Sequence, residues 1–421
     1  MLAWLGATVE SDASPVGWAA DWAASGAMAL TGRRDGPPLL PPGQAASAVH
    51  GALLALECLA RLGGCDAVLP GVGILSERAA IAGLRRDAPR SAGGAFRVLR
   101  GADGWVGLNL ARDADAELLP AWLGEPEPGL DEAVACRAVD ELAHRARLLG
   151  LPAAALPAGP DEQMAARGQD GEVRPFVLTG QPNQAQSGLR PIFVTDLSSL
   201  WAGPLCGHLL TMLGARVVKV ESIHRPDGAR SGPRAFYDLL HAGQESVALD
   251  FSTSAGRAAL AGLIEAADVV IEGSRPRALR QLGIDAEDVL ARAQGKCWVS
   301  ITAYGRTGPW ANTAGFGDDA ALAAGLITFD LETGIPAPCG DAIADPVTGV
   351  NAALVALACC MAGGTWLADL ALREQIAATM IETGERGRIG IVAEPTARCP
   401  AGRAPDLGED NSRVLAELKL S

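Results

Sequence analysis

The strongest chemical feature of the chain is Asp345, set directly before Pro346 and a run of apolar residues that continues to Met361. Proline suits the first turn of a helix and aspartate the position just before it, so the spacing predicts a helix N-capped by Asp345. There the carboxylate lies at the positive end of the helix dipole beside N–H groups that lack helical partners, which keeps it ionised at neutral pH. A carboxylate so held can attack an acyl carbonyl. The same residues also suit a plain helix cap. A second acidic pair, Asp318 and Asp319, precedes Ala320 to Leu326 and suits either capping or a base. His208 falls on an apolar helix face and reads as a core histidine, with His241 and Tyr237 structural.

The elements that must position these groups alternate regularly. Pro191 to Asp196 is a short buried strand, and Pro204 opens a helix whose Leu205, Leu209 and Leu213 recur every four residues until Gly214. Val217, Val218 and Val220 mark the next strand; Ser246 to Phe251, a helix from Ala255 to Ala266, and strands at Asp268 to Glu272 and Cys297 to Tyr304 follow. Strand and helix in turn imply a doubly wound parallel sheet, an α/β Rossmann-like domain, with its ligand outside the carboxyl ends of the strands. The loops after Asp196, Glu221, Glu272 and Tyr304 are therefore the binding candidates. Residues 152–188, rich in Pro, Gly, Ala and Gln, read as a linker between residues 1–151, a separate small α+β domain, and residues 189–421.

A weak internal echo links the two parts. Thr31-Gly32, His50-Gly51 to Leu56 and Gly63-Gly64 resemble Thr333-Gly334, Thr348-Gly349 to Leu354 and Gly363-Gly364. Aligned on Gly51 and Gly349, the copies set Ser47 opposite Asp345, so the first copy lacks the carboxylate.

Composition narrows the classes. The 421 residues are 49% hydrophobic and 20% charged, which excludes a chain dominated by disorder. A net charge of -14 argues against nucleic acid as a partner. The basic residues are nearly all arginine, with lysine at Lys219, Lys296 and Lys419 alone. Uninterrupted apolar stretches reach about ten residues, short of the roughly 20 that cross a membrane, and the N-terminus carries no signal-peptide pattern. Nine cysteines without a C-x-x-C pair point to a reduced, cytoplasmic protein with no zinc site.

Several motifs carry a resemblance. Asp196-Leu-Ser-Ser-Leu-Trp-Ala-Gly-Pro204, Leu213-Gly-Ala-Arg-Val-Val-Lys-Val-Glu221, Ala267-Asp-Val-Val-Ile-Glu-Gly-Ser-Arg-Pro276, Ser300-Ile-Thr-Ala-Tyr-Gly-Arg-Thr-Gly-Pro309 and Asp345-Pro-Val-Thr-Gly349 resemble, in order and spacing, the family III CoA-transferases, which include the carnitine and formyl-CoA transferases. Gly93-Gly-Ala-Phe-Arg97 and Asp103-Gly-Trp-Val-Gly107 resemble that family's small domain, which normally follows the nucleophile segment; here it lies in front, as in a rearranged member.

The resemblance implies an enzyme that moves CoA between an acyl-CoA and a small carboxylic acid, with Asp345 as nucleophile and coenzyme A as substrate rather than a tightly bound cofactor. It maps CoA contacts onto Leu200, Trp201, Ala202, Glu272, Gly273, Ser274, Arg275 and Phe316. It also implies an interlocked homodimer, with no membrane or nucleic-acid partner. Where relatives often carry a basic residue near the phosphates, this chain has Ser222, Gln244 and Gln281, with His224, Arg225 and Arg230 nearby as substitutes. Two alternatives stay open: an acyl-CoA racemase or isomerase, whose family histidine has no counterpart in Gly315 to Asp319, and a CoA-binding relative without catalysis.

Overall fold

The structure is a computed structural model that describes residues 17–124, 129–156, 173–183, 191–380 and 389–420. Near the N-terminus an apolar helix, Ala45–Leu62, and a short one, Glu77–Ala82, precede a three-stranded antiparallel sheet. Its strands are β1 (Phe96–Arg100), β2 (Trp105–Asn109) and β3 (Ala153–Leu156). Alternate residues Val106 and Leu108 face the Val139–Leu149 helix and the buried Trp122, and this layer has its own core.

Strands β4 (Val177–Gln181), β5 (Phe193–Asp196), β6 (Arg216–Ser222), β7 (Glu245–Leu249), β8 (Val269–Glu272) and β9 (Cys297–Thr302) lead to a small hairpin, β10 (Ile327–Phe329) with β11 (Pro336–Pro338), and then to β12 (Thr365–Ala371). The large sheet runs β4-β12-β9-β8-β5-β6-β7. All its neighbours pair parallel except β4, which lies antiparallel on the outer edge of β12. From β5 the chain winds outward through β6 and β7, returns to β8, and winds the other way through β9 and β12. That reversal between β5 and β8 opens a crevice at the carboxyl ends of the strands.

The valine runs of β6 and β8 are buried on both faces, as a sheet covered by helices requires. One face packs the Ala202–Met212 and Ala344–Ala362 helices, with Leu205, Leu209, Val347 and Leu354 in the core. The other packs the Ser254–Ala266 helix through Leu260 and Leu263 against Val218 and Val247. The doubly wound α/β architecture expected from the strand and helix alternation is thus present.

Three expectations need correction. First, residues 1–151 do not form one separate body: the Ala45–Leu62 helix lies against Ala344–Ala362 inside the large core, because its Val49, Leu53 and Leu56 stripe needs an apolar partner. Second, the ends of the 152–188 linker are strands β3 and β4, since a sheet edge pairs any extended backbone within reach. The middle of that linker, with the N-terminal segment read for a signal peptide, lies outside the described residues. Third, two helices, Ala45–Leu62 and Ala344–Ala362, are 18 and 19 residues long and apolar enough to cross a membrane by length and composition. They pack against each other within the protein, which explains their apolarity.

Candidate active site

The Ala344–Ala362 helix begins at a tight turn in which Ala342 takes a positive φ of 43°. That unusual backbone is held from two sides: the Ala342 N–H donates to Asp318 Oδ1 at 2.8 Å, and the Ala342 carbonyl accepts the Asp345 N–H at 2.9 Å. The helix thus starts two residues earlier than predicted. Ile343 is its N-cap, and Asp345 sits inside the first turn rather than capping it.

The surroundings of Asp345 also differ from those expected. Burial, together with the nearby carboxylates of Asp318 and Asp341, pushes its pKa up to about 7, while Arg78 and a hydrogen bond from the Gly317 N–H pull it down. Helix dipole and backbone donors therefore do not keep this group fully ionised at neutral pH, because desolvation and like charge outweigh them. Gly317 must be glycine for this approach. An added Cβ would meet the Ala342 carbonyl oxygen at 2.3 Å and the Asp345 carboxylate at 2.6 Å.

Asp341 is fully buried and accepts a fork of two hydrogen bonds from Arg78, at 2.8 and 2.5 Å. The same guanidinium lies 5.4 Å from the Trp201 ring centroid. Asp318 is held by the Ala342 N–H, and burial and Asp341 push its pKa up to about 6. Asp319 accepts from Asn109 at 3.0 Å and from the Phe316 N–H at 2.9 Å. Burial raises its pKa to about 8, and its second oxygen has no partner.

Beside this acidic group a cleft of about 510 Å³ opens at the carboxyl ends of β6, β8 and β9. Arg112, Arg225, Arg275 and Arg277 line it with Gly273, Ser274, Gln281 and Phe316. Positive charge is concentrated enough that burial, then Arg112, Arg277 and Arg225, hold the Arg275 guanidinium below its ordinary pKa. Such a wall suits phosphates. Asp345 lies beyond the cleft wall, where Gly317 follows Phe316.

The predicted contact residues divide. Gly273, Ser274, Arg275 and Phe316 line the cleft. Glu272 does not: it is buried, where it accepts from Trp298 at 2.9 Å, Ser274 at 3.1 Å and Arg306 at 3.2 Å, so its role is to fix the end of β8. Leu200, Trp201 and Ala202 form the wall between cleft and nucleophile helix. Ser198 packs on Gly273, the Ala202 carbonyl on Gly349, and Leu200 keeps a φ of 71° with its N–H on Asp227 Oδ1. Beneath that loop Lys219 is buried between Asp227 at 3.0 Å and Asp196 at 3.6 Å, a structural pair rather than a ligand.

Among the proposed basic substitutes only Arg225 reaches the cleft. Arg230 is bound to Glu221 at 2.6 Å, and His224 lies 3.2 Å from Asp250. Sequence reasoning missed Arg78, Asp341, Asn109, Arg112 and Arg277. None belongs to a motif, and Arg78 meets Asp341 across 263 positions.

Comparison with known proteins finds relatives for the second half of the chain. Residues 189–380 match the model of CoA-transferase family III. Succinate–glutarate CoA-transferase of Agrobacterium fabrum is 33% identical over 189 residues, covering 41% of this chain and 46% of that protein. An acyl-CoA transferase of Fusarium pseudograminearum is 31% identical over 185 residues, 40% of either chain. Human succinyl-CoA:glutarate CoA-transferase is 31% identical over 185 residues, 41% of this chain and 42% of that one. The chain therefore matches less than half the length of these relatives. Among solved structures, a CaiB/BaiF family protein from Brucella suis overlaps 44% of this chain and 53% of its own, at 30% identity and a TM-score of 0.42. Over residues 189–380 this chain is thus similar to CoA-transferase family III.

Proposed function

We propose that the protein transfers CoA between an acyl-CoA and a small carboxylic acid, with Asp345 as covalent nucleophile. The observation that carries this reading is a carboxyl with a pKa near 7, held at a helix start by the Gly317 N–H, next to an arginine-lined cleft at the carboxyl ends of a parallel sheet. The nucleotide phosphates of the thioester lie among Arg112, Arg225, Arg275 and Arg277, and the pantetheine arm runs past Phe316.

The steps balance without a metal. The Asp345 carboxylate attacks the thioester carbonyl, the C–S bond breaks, and CoA leaves as a thiolate from a mixed anhydride. The thiolate attacks the aspartyl carbonyl of that anhydride and frees the donor acid, which leaves an aspartyl-CoA thioester. The acceptor carboxylate attacks this thioester and expels the thiolate again. Attack of the thiolate on the acceptor's acyl carbon then releases the new acyl-CoA and restores Asp345. The relatives' names specify succinate, glutarate and related acids, which makes dicarboxylates the first acceptors to test. Assembly as an interlocked homodimer in the cytoplasm belongs to the same proposal, and light scattering of the purified chain checks the dimer.

Trapping decides the mechanism. After acyl-CoA is added, hydroxylamine or borohydride modifies Asp345, read by peptide mass. An unmodified Asp345 in a protein that still binds CoA supports the binding-only alternative instead. A second reading has its own observation: Asp318 and Asp345 are neighbouring carboxyls with pKa values near 6 and 7, a pair suited to moving a proton. Uptake of deuterium into a chiral 2-methylacyl-CoA without any acceptor acid identifies that racemase activity.

A further inference from the structure

The nucleophile segment lies within residues 189–380, yet one of the charges closest to it comes from outside that region. Arg78 belongs to the Glu77–Ala82 helix, which precedes the small sheet. Two restraints fix its guanidinium: the fork to Asp341, and the face of Trp201. Asp341 is fully buried and lies four residues before Asp345, in the turn that starts the nucleophile helix. The Arg78 side chain keeps 33% exposure, so the ion pair is not sealed in the core. A purely structural ion pair needs neither that exposure nor the aromatic restraint.

We propose that Arg78 is a positioning residue for the nucleophile: clamped by Asp341 and Trp201, it presents a fixed positive charge that holds the Asp345 carboxylate ready to attack. This inference rests on the transfer chemistry proposed for Asp345. The groups that face Asp345 are Arg78 from the N-terminal helix, Asp318 from the Gly317–Ala323 helix, Asp341 from its own turn, and the Gly317 N–H. Arg78 is the cation among them, and the two acids oppose it. Relative to a free carboxylate–arginine pair, the clamp stops Arg78 from swinging out to solvent and losing its effect on Asp345. Asp341 thus plays two opposed parts, since it anchors the cation and adds a like charge.

Opposite signs follow for the two members of one ion pair. Arg78→Gln removes the cation and leaves two acids, so the Asp345 titration moves up by about one pH unit, a roughly tenfold loss of ionised nucleophile well below pH 7 and about fivefold at pH 7. Asp341→Asn removes an acid while its amide oxygen and the Trp201 face still hold Arg78 in place, so the titration moves down by a similar amount. The measurement is ¹³C NMR of the aspartate side-chain carboxyls in the full chain, with Asp345→Asn to assign the signal, and it needs no turnover. The acidic limb of the pH–rate profile for CoA transfer is the second readout.

Opposed shifts in the NMR titration establish the clamp, and the same opposed shifts in the rate profile tie it to transfer. If the wild-type chain shows no transfer but the NMR shifts remain, the function fails while the electrostatic role of Arg78 stands. An Asp345 titration that stays put, or moves the same way in both variants, overturns the inference. Asp341→Asn is nearly isosteric, so it carries the sign test even where Arg78→Gln is too unstable to titrate, and an upward or absent shift there also overturns it.

Discussion

The helices Ala45–Leu62 and Ala344–Ala362 are the instructive pair. Both are apolar, of nearly equal length, followed by two glycines, and packed on each other in one core. They diverge in their second neighbour. The C-terminal helix is sandwiched, with Gly349 against the Ala202 carbonyl and Leu205 of the helix behind it, and 78% of it is buried. The N-terminal helix is 44% buried; an added Cβ on Gly51 meets nothing within 4 Å, and Leu54 is half exposed. Ser47, opposite Asp345 in the sequence echo, donates to Asp21 at 2.5 Å, and His50 lies 3.1 Å from the same carboxylate. A helix start alone does not make a reactive carboxyl. Enclosure does, because it limits the water around the half-buried Asp345 and brings Asp318, Asp341 and Arg78 close enough to matter.

The largest test of that contrast is chemical. Asp345→Asn lowers CoA transfer by about a thousandfold or more and abolishes trapping, since a carboxamide cannot replace the attacking carboxylate. Ser47→Asp gains no trapped adduct on the other helix; a labelled Asp at position 47 would break the comparison. Because Asp345 attacks only as the anion and its pKa is about 7, wild-type transfer rises with pH through about 7 and levels above it, as an initial-rate profile reads directly.

The next effect is on affinity. Arg275→Gln raises the KM for acyl-CoA roughly tenfold and leaves kcat nearly unchanged, as loss of one charge-assisted phosphate contact predicts. With an acyl-pantetheine that lacks the nucleotide, variant and wild type perform alike, and a persistent difference would place the phosphates elsewhere.

Stability separates the regions in sign. Asp319 has a folded pKa near 8, above its ordinary value near 4, so the folded state holds the proton more tightly. Its contribution is greatest at low pH and is lost as pH rises from about 4 to about 8, at about 1.4 kcal/mol per unit. Asp319→Asn keeps a neutral group at the unpartnered oxygen and removes this slope, so the variant melts higher than wild type at pH 8. Equal melting at pH 8 would mean that water reaches this carboxyl.

Gly349→Ala must fit a Cβ 2.6 Å from the Ala202 oxygen and loses about 1–3 kcal/mol in denaturant unfolding. Gly51→Ala has open space within its helix and gains about 1 kcal/mol from helix propensity. If both substitutions destabilise, the N-terminal helix face is covered in solution.

Much of the architecture was legible because it is local. Valine runs, the Leu205 and Leu209 spacing and the glycine stops mark each strand and helix, and the order of elements implies the crevice where Gly273 to Arg275 now lie. What escaped was the pairing of distant segments. Strand β12 follows the helix as a plain apolar stretch, and its place beside β9 depends on which edge is free. Arg78 and Asp341 carry no motif, since an ion pair between remote residues needs only that the fold bring them together. Arg230 shows the converse: near the right loop in sequence, it is spent on Glu221.

By itself the sequence determined the order of the secondary structure and the candidacy of Asp345, because periodicity and turn chemistry act over a few residues. Only the tertiary structure decided the protonation balance of that carboxyl, which arginines line the cleft, and that the N-terminal segment supplies Arg78. Those outcomes depend on burial and on charges meeting through space, and neither quantity is written in spacing along a chain.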